Sequence, residues 1–535
     1  MLIATIPLGL ASLLLPPQST ERVSLSDGGL QGNGDSTFQE ISANGRFVAF
    51  QSEAPNLVSG DSNGFADIFA RDLVAGSTTR VSVDSSGNQA NGSSGSPDIS
   101  AEGRFITFLS AADNLVAIDI NLGNDVFVHD TKTGVTELVS ISSTGIQSNG
   151  TCYNPRISAD GRYVSFTSTA DNLVPGDTNN ANDVFVFDRQ TGIQTLVSKS
   201  SFGAFGNAHS TYSDLSADGQ LITFASNATN LVPGDSNGFS DQFVHDLKSG
   251  ITTRVSLSSG GAQGDYGVHN ECAISANGQV VAFGSRATNL VSGDTNGRWD
   301  IFVHDRGSGQ TERVSIHTLG TQANLDSHYP DLSADGRYVG FTSAATNLIS
   351  GDTNAFDDTF LHDRQTGKTV RTSLDQFGDQ IDSHGFYQAM SADARYVVFT
   401  CLSNNVVSGD TNGAMDVFLR DRVSAAPKNT MLLIGPRTAS VGDVVQFQWF
   451  AAPASSSYWF AYSFNASGSI IAGHEFDLVA PTTLASGTNS TMGSGFFNSA
   501  PLPPASSGLT VYLEAAAMDG SGLLYDSYPR ALTIF

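Results

Sequence analysis

The stretch Asp294-Thr-Asn-Gly-Arg-Trp-Asp300 has six further copies along the 535-residue chain. Every copy, here called an Asp-x-Asn box, keeps aspartate at positions 1 and 7 and asparagine at position 3, and another asparagine stands five residues before it. Successive boxes are 58 or 59 residues apart, and the other six begin at Asp61, Asp119, Asp177, Asp235, Asp352 and Asp410. Such a regular period indicates an array of seven equal structural units.

The residues around the third box show what one unit contains. Ile157-Ser-Ala-Asp-Gly161 predicts a short strand and a turn, and residues 162–168 alternate apolar and polar side chains as a half-buried strand does. After the box, residues 183–188 and 193–198 predict a third and a fourth strand. Four strands in about 58 residues are typical of a β-propeller blade. We therefore predict an all-β fold, a seven-bladed β-propeller over residues 21–424.

The two ends of the array complement each other. Residues 21–25 contain the phrase Arg-Val-Ser of the fourth strand, although no unit precedes them. The seventh unit lacks a fourth strand, because Pro427 follows soon after Asp421-Arg-Val-Ser. Blades bury their faces only against their neighbours, so the ring has to join its ends. We predict that the N-terminal strand completes the seventh blade and closes the propeller.

The repeat resembles that of a known family. Ser158-Ala-Asp-Gly-Arg-Tyr-Val-Ser-Phe-Thr-Ser, followed by Asp183-Val-Phe-Val-Phe-Asp-Arg-Gln-Thr-Gly, is similar to the TolB-like (WD-repeat-like) β-propeller repeat, which shows Ser-Pro-Asp-Gly, an apolar strand and Ile-Tyr-x-x-Asp. The resemblance covers residues 21–424, with alanine in place of the family's proline and a longer middle loop that carries the box. It implies a propeller, usually a periplasmic or extracellular binding scaffold or the accessory domain of a peptidase. It transfers no catalytic residue.

Composition and the two ends of the chain bear on location and partners. The 52 acidic and 26 basic side chains give a net charge of -26, which repels nucleic acid and anionic membranes. Residues 1–17 resemble the apolar part of a secretory signal without its usual basic start, and no later stretch is long and apolar enough for a membrane span. We predict a secreted or periplasmic protein. Residues 425–430 predict a linker, and residues 431–535 a small Ig-like β-sandwich.

Two interpretations of the boxes stay open. Calcium prefers hard oxygen ligands, which the two carboxylates and the amide of a box offer, with the upstream asparagine as a further donor. Asn-Gly and Asp-x-Asn equally favour polar turns that bond their own backbone and need no metal. The candidate calcium ligands are Asp61, Asn63, Asp67, Asp119, Asn121, Asp125, Asp177, Asn179, Asp183, Asp235, Asn237, Asp241, Asp294, Asn296, Asp300, Asp352, Asn354, Asp358, Asp410, Asn412 and Asp416.

Histidine and tyrosine gather in the segments that join one blade to the next. We expect these junctions to ring one mouth of the central channel, as a surface for a protein or glycan ligand. The alternative is an extracellular hydrolase or lyase that uses them for acid–base chemistry, and the sequence names no catalytic residue for it. The candidate ligand-binding residues are Tyr153, His209, Tyr212, His269, His328, Tyr329, His384 and Tyr387.

Four other histidines follow an apolar residue and precede aspartate near the end of the third strand. Arginine or phenylalanine takes the same position in the remaining blades, so this position accepts unlike chemistry. We interpret these histidines as structural residues at the surface end of a strand: His129, His245, His304 and His362.

Overall fold

The computed structural model describes residues 19–121 and 123–422, except for the side chain of Asn270, together with the backbone of the strands between residues 432 and 534. The chain divides into two compact units, Gln18–Val423 and a second unit that contains Ser424–Phe535. Each unit is described by itself. None of the described residues lies in a helix, and the part of the chain that is described contains no helical segment able to cross a membrane.

The first unit consists of seven four-stranded antiparallel sheets, the blades. The first strands are Ser36–Ile41 (β2), Ser94–Ile99 (β6), Cys152–Ile157 (β10), Ser210–Leu215 (β14), Val268–Ile274 (β18), Ser327–Leu332 (β22) and Gly385–Met390 (β26). The second strands are Phe47–Ser52 (β3), Phe105–Ser110 (β7), Tyr163–Ser168 (β11), Leu221–Ser226 (β15), Val280–Ser285 (β19), Tyr338–Ser343 (β23) and Tyr396–Cys401 (β27). The predicted all-β, seven-bladed propeller is confirmed.

The outer half of each blade is built from the two remaining strands. The third strands are Asp67–Asp72 (β4), Asp125–Asp130 (β8), Asp183–Asp188 (β12), Asp241–Asp246 (β16), Asp300–Asp305 (β20), Asp358–Asp363 (β24) and Asp416–Asp421 (β28). The fourth strands are Ser77–Arg80 (β5), Val135–Leu138 (β9), Ile193–Leu196 (β13), Thr252–Arg254 (β17), Gln310–Arg313 (β21), Lys368–Arg371 (β25) and, in the seventh blade, Ser19–Arg22 (β1).

A pair of phenylalanines forms the centre of every blade. Phe166 of β11 lies directly opposite Phe185 of β12, and both side chains are fully buried. Their ring centroids are 6.0 Å apart, a separation at which aromatic pairs attract beyond simple burial. The same pair recurs at the same register in the other six blades, for example Phe283 with Phe302. This repetition explains why one sequence pattern builds seven nearly equal sheets.

The fourth strands end two residues earlier than the sequence predicts. In the first blade, β5 ends at Arg80, although the amide of Val81 still donates to Ile68 O. The hydroxyl of Ser82 then donates to the Asp67 carboxylate at 2.5 Å and accepts the Ile68 amide at 3.1 Å. The serine of Arg-Val-Ser therefore leaves the sheet because it bonds the box aspartate that begins the third strand.

The chain's N-terminal strand lies in the seventh blade. β1 pairs antiparallel with β28, with Ser19 opposite Asp421 and Arg22 opposite Phe418. Ser24 then donates to Asp416, and Arg22 pairs with Asp410 at 2.7 Å and with Asp416 at 3.3 Å. These are the same contacts that the fourth strand makes inside the other arginine-containing blades.

Backbone hydrogen bonds between turns link the blades around the ring. The turn after each first strand donates to the equivalent turn of the next blade, as Ala159 N does to Ala217 O at 3.0 Å. The bond from Ala392 N to Ala43 O, also 3.0 Å, links the last blade to the first. This alanine stands where the TolB-like repeat has proline, and proline has no N–H to donate. The departure from the family pattern therefore supplies six of the seven inter-blade bonds, and in the first blade Asn44 N donates to Ala101 O at 3.3 Å instead.

Within the second unit, the described backbone forms eleven strands in three sheets. They are Leu432–Ile434 (β29), Thr438–Ala439 (β30), Gln446–Phe450 (β31), Ser457–Ser463 (β32), Ser469–Ile471 (β33), His474–Phe476 (β34), Thr482–Thr488 (β35), Gly495–Asn498 (β36), Thr510–Met518 (β37), Leu524–Asp526 (β38) and Arg530–Ile534 (β39). The sheet orders are β29-β31-β36, β30-β39-β37-β32-β35 with β38 beside β37, and β33-β34. The leader, the linker and the packing of a sandwich lie outside the described residues and stay predictions.

Deletion of residues 21–26 is expected to destabilise the whole propeller, because it removes strand pairing to β28 and a buried ion pair. We expect the melting temperature to fall by roughly 10 °C or more in a thermal melt followed by circular dichroism. The control is Arg22→Leu, which introduces the residue found as Leu138 and Leu196 in the second and third blades. It should lower the melting temperature by less than the deletion does. An unchanged cooperative melt of the deletion variant would contradict the role assigned to β1.

Candidate functional site

Each Asp-x-Asn box is closed by side chains of its own blade. In the fifth blade, Asn296 Nδ2 donates to the Asp300 carboxylate at 2.7 Å, and Asn296 Oδ1 accepts the Arg298 amide. The hydroxyl of Ser315 donates to the other Asp300 oxygen at 2.5 Å. Arg313 lies between the two box carboxylates, 3.1 Å from Asp294 and 3.5 Å from Asp300. A guanidinium thus neutralises the oxygens that the sequence offers to calcium.

The same arginine closes five of the seven boxes. All five guanidinium groups and the carboxylates that they pair with are nearly inaccessible to solvent, so the attraction between them is little screened. Removing one partner would leave an uncompensated buried charge. The pairs are Arg80 with Asp61 and Asp67, Arg254 with Asp235 and Asp241, Arg313 with Asp294 and Asp300, Arg371 with Asp352 and Asp358, and Arg22 with Asp410 and Asp416.

The second and third blades lack this arginine. Leu138 and Leu196 end their fourth strands. In the second blade Gln147 bridges the carboxylates, donating to Asp119 at 2.6 Å and to Asp125 at 2.9 Å. In the third blade Phe205 takes the place of this glutamine. Burial raises the pKa of Asp125 and of Asp183 to about 6, and no guanidinium offsets this effect.

The asparagine five residues before each box does not contribute an oxygen to a possible metal site in the box. Asn289 Nδ2 donates to Gln263 O at 2.9 Å, and Asn289 Oδ1 accepts the Asp265 amide at 3.0 Å. Both polar atoms are therefore engaged by the preceding junction, so this side chain orders the junction instead of extending a metal site. Among the described residues, no group of three or more His, Cys, Asp or Glu side chains is placed to hold a metal ion.

Two of the candidate histidines tie the box loop to the junction. His384 Nδ1 accepts the Asp357 amide at 3.0 Å, and His209 Nδ1 accepts the Asn182 amide at 2.9 Å. At the same repeat position in other blades, the carboxylate of Asp326 accepts the Trp299 amide at 2.9 Å. Histidine and aspartate thus do the same structural work here, which accounts for His209 and His384 without a ligand.

The other two candidate histidines share a different position, the second residue of the first strand. The rings of His269 and His328 are 5.1 Å apart, and Trp299, from the fifth box, lies 5.0 Å from His269. His269 Nδ1 also pairs with the carboxylate of Glu271. Burial lowers the pKa of His328, and the neighbouring His269 lowers it further. Tyr153 occupies this position in the third blade and is exposed.

Three of the four candidate tyrosines line a cavity of about 620 Å³ formed by the first strands of all seven blades: Tyr212, Tyr329 and Tyr387. Their backbone φ angles lie between 47° and 54°, in the left-handed region that such residues rarely adopt. The strand bulges at this point in each of the three blades, and the side chains face the channel. Burial raises the pKa of Tyr212 and of Tyr329.

A continuous set of ring contacts joins the boxes to this cavity. Neighbouring ring centroids are 4.6–6.3 Å apart, as in Tyr329 with Tyr387 at 4.9 Å. The sequence misses most members because they stand at variable box and strand positions. This aromatic belt consists of Phe239, Tyr266, Trp299, His269, His328, Tyr329, Tyr387 and Phe38, with Phe386, His384 and Phe356 as a side branch.

Charged residues inside the cavity are a second feature that the sequence analysis misses. Five first strands carry one charged residue each, directly before the apolar residue and serine that begin the turn. The recurrence of a charged residue in an otherwise apolar strand position is one sequence signal that could have found them. A second signal is the spacing of 59 residues before the fifth box. It marks an extra residue in the first strand of the fifth blade, and this strand places Glu271 in the cavity. The five residues are Glu40, Asp98, Arg156, Asp214 and Asp331.

The interpretation of four histidines as surface residues is wrong. His129 and its equivalents are buried, and their Nδ1 atoms lie 2.8–2.9 Å from a threonine hydroxyl of the fourth strand. That threonine donates in turn to a carbonyl of the preceding junction, as Thr252 does to Lys199 O. Burial lowers the pKa of all four, so the neutral ring is favoured: His129, His245, His304 and His362. Their structural role is a link between neighbouring blades.

The similarity of this chain to known proteins lies among solved structures. No family model and no curated protein matches the chain. Among solved structures, a putative TolB from Agrobacterium tumefaciens is 17% identical over 64% of this chain and 93% of its own, with a TM-score of 0.36. The WD40 repeats of RRP9 are 9% identical over 75% and 97%, with a TM-score of 0.36. A prolyl endopeptidase is 13% identical over 79% and 56%, with a TM-score of 0.43. The propeller fold that the resemblance to TolB-like repeats implies is confirmed by the seven four-stranded sheets of the structure itself.

The contribution of Asp125 and Asp183 to stability is expected to rise as the pH falls from about 7 to about 4. The folded-state pKa of Asp125 and Asp183, about 6, lies above the unfolded value of 3.8, so the folded state binds protons that the unfolded state does not. Each group contributes about 1–3 kcal/mol to this rise. Urea denaturation at several pH values measures it: the free energy of unfolding of the wild type minus that of the double variant Asp125→Asn/Asp183→Asn should rise over this range. The buried histidines, whose lowered pKa values act in the opposite direction, are common to both proteins and cancel in this difference. An equal slope in wild type and variant would contradict the assignment.

Proposed function

We propose that the protein is an exported propeller that binds a protein or glycan ligand at the mouth of its central channel. The aromatic belt carries this proposal. It spans the fourth to seventh blades and reaches the first, and it runs from an exposed box residue, Phe239, to Tyr329, Tyr387 and Phe38 in the channel.

The belt has the composition of a recognition surface. Phe239, Tyr266 and Phe38 are each about 40% exposed, although they contact other rings. Tyrosine and tryptophan are enriched at interfaces because they present large, rigid rings at little cost in conformational entropy. The belt is also confined to part of the ring: the channel position of Tyr329 holds Ser96 in the second blade and Asn154 in the third. A ligand would therefore meet one side of the channel mouth.

The alternative function is an extracellular hydrolase or lyase. The pairing of His269 with Glu271 favours it, since a carboxylate that holds an imidazole is a common arrangement in acid–base catalysis. The ring of His328, 5.1 Å from His269, would be the second proton-transfer group. Binding takes precedence because no nucleophile accompanies either histidine in the contacts of the described residues.

We also propose that calcium enters only the boxes of the second and third blades. In the other five boxes, a cation would have to displace a buried guanidinium. Asp119, Asp125, Asp177 and Asp183 keep carboxylates without an arginine, and oxygen ligands of this kind suit calcium. Export through the leader, ring closure by β1 and a sandwich built from the C-terminal strands belong to the same proposal.

Substitution of the belt is expected to abolish capture of the ligand without unfolding the propeller. We expect Tyr329→Ala and Tyr387→Ala to weaken capture at least about tenfold, because buried aromatic contacts carry much of the energy of an interface. Immobilised wild type and variants would be tested against extracellular proteins and against a glycan array. The matched control is Phe65→Ala, since Phe65 holds the box position of Phe239 in the first blade and is 44% exposed outside the belt. Equal capture by all variants would refute the proposal.

A further inference from the structure

The negative and positive charges of the residues that line the channel do not balance. Glu40, Asp98, Asp214, Glu271 and Asp331 supply five carboxylates, and Arg156 supplies one guanidinium, which pairs with Glu40. The equivalent positions in the fifth and seventh blades hold Ala273 and Ala389. A net negative charge in a cavity walled by protein attracts cations and repels anions, and the confined space strengthens both effects.

Backbone amides satisfy two of these carboxylates completely. The two Asp98 oxygens accept the amides of Ile99 at 2.8 Å and of Ile157, in the next blade, at 2.6 Å. Asp214 likewise accepts the amide of Leu215 and, from the next blade, that of Ile274, each at 2.8 Å. These hydrogen bonds hold the first strands together around the channel.

The carboxylate of Asp331 is less completely hydrogen-bonded than those of Asp98 and Asp214. Its Oδ1 accepts the Leu332 amide at 2.8 Å, but its Oδ2 is buried and has no hydrogen-bond partner among the described residues. A buried carboxylate oxygen without a partner costs free energy unless a ligand supplies the missing donor or cation. Burial and the neighbouring carboxylates raise the pKa of Asp331 well above its usual value.

Aromatic rings stand in the same cavity. Tyr329 and Tyr387 meet edge to face at 4.9 Å, and Phe38 lies 5.1 Å from Tyr387. All three line the cavity with Asp331. Ring faces attract organic cations and also pack against alkyl chains, which inorganic ions do not have. Carboxylates beside rings therefore match a ligand that combines an ammonium head with an alkyl stem.

We propose that the channel binds the primary ammonium group of an alkylamine, with the ammonium at Asp331 and the alkyl stem against Tyr329, Tyr387 and Phe38. A primary ammonium has three N–H donors and supplies both the missing hydrogen bond and the positive charge. A free diamine and the lysine side chain of a protein share this chemistry. The inference rests on the proposed function, because the channel opens among the belt residues.

Isothermal titration calorimetry of the full chain tests the inference with three probes. They are a linear alkyl diamine (cadaverine), Nα-acetyl-lysine amide and the uncharged pentanediol of matching length. We expect at least one amine to bind and the diol to give no heat. Tighter binding of the diamine would identify a free amine as the ligand, and tighter binding of the lysine derivative would identify a protein side chain.

Variants of the channel residues test whether the amine binds in the channel. Asp331→Asn should weaken amine binding at least about tenfold, because it removes the charge that meets the ammonium, and it should not lower the melting temperature. Tyr329→Ala should weaken binding roughly 2- to 30-fold. The matched control is Glu53→Gln, an equal charge change at an exposed site away from the cavity, which should leave binding unchanged.

Three results would overturn the inference: no heat with either amine, equal heat with the diol, or calcium binding that Asp331→Asn abolishes, which would make the cavity a metal site. These outcomes are distinct from failure of the proposed function. Belt variants that lose capture of a protein or glycan while no amine binds would leave the belt as a binding surface and remove only the amine from the channel.

Discussion

The buried carboxylate at position 7 of each box is the constraint on which the rest of the blade depends. Asp300 and its six equivalents begin the third strands and are at most 1% exposed, so water cannot solvate their charge. A serine hydroxyl, an asparagine amide and, in five blades, an arginine do so instead. These partners come from the box itself and from the phrase Arg-Val-Ser. Each blade thus joins its middle loop to its fourth strand through one carboxylate.

Much of the fold follows from the sequence because its signals are local and repeated. The box period predicts seven units, and alternation in residues 162–168 predicts a strand whose Phe166 meets Phe185. What the arginine and serine of the fourth strand do is not predictable from local patterns, because their partners lie more than ten residues away. The same limit applies to His129, which looks like a surface residue in its strand but is buried between blades.

The candidate site is only partly predictable, because it lies where the blades differ. Sequence places Tyr329 and Tyr387 at one channel mouth, and both line the cavity. It does not reveal Asp331 or Trp299, since side chains from different blades meet only when the ring is formed. The shared framework keeps seven equivalent positions around one axis. Substitutions at those positions then make one side of the channel mouth aromatic and the interior acidic.

The central claim is that a buried arginine, and not a metal ion, neutralises the box carboxylates. The anomalous signal of calcium, measured by diffraction from crystals grown in calcium, tests this claim most directly. The account predicts no calcium peak at the five boxes in which arginine pairs with the carboxylates, with Arg313 between Asp294 and Asp300. Any calcium peaks should lie in the boxes of the second and third blades, which carry Leu138 and Leu196. A peak between Asp294 and Asp300, with the Arg313 side chain displaced, would contradict the account.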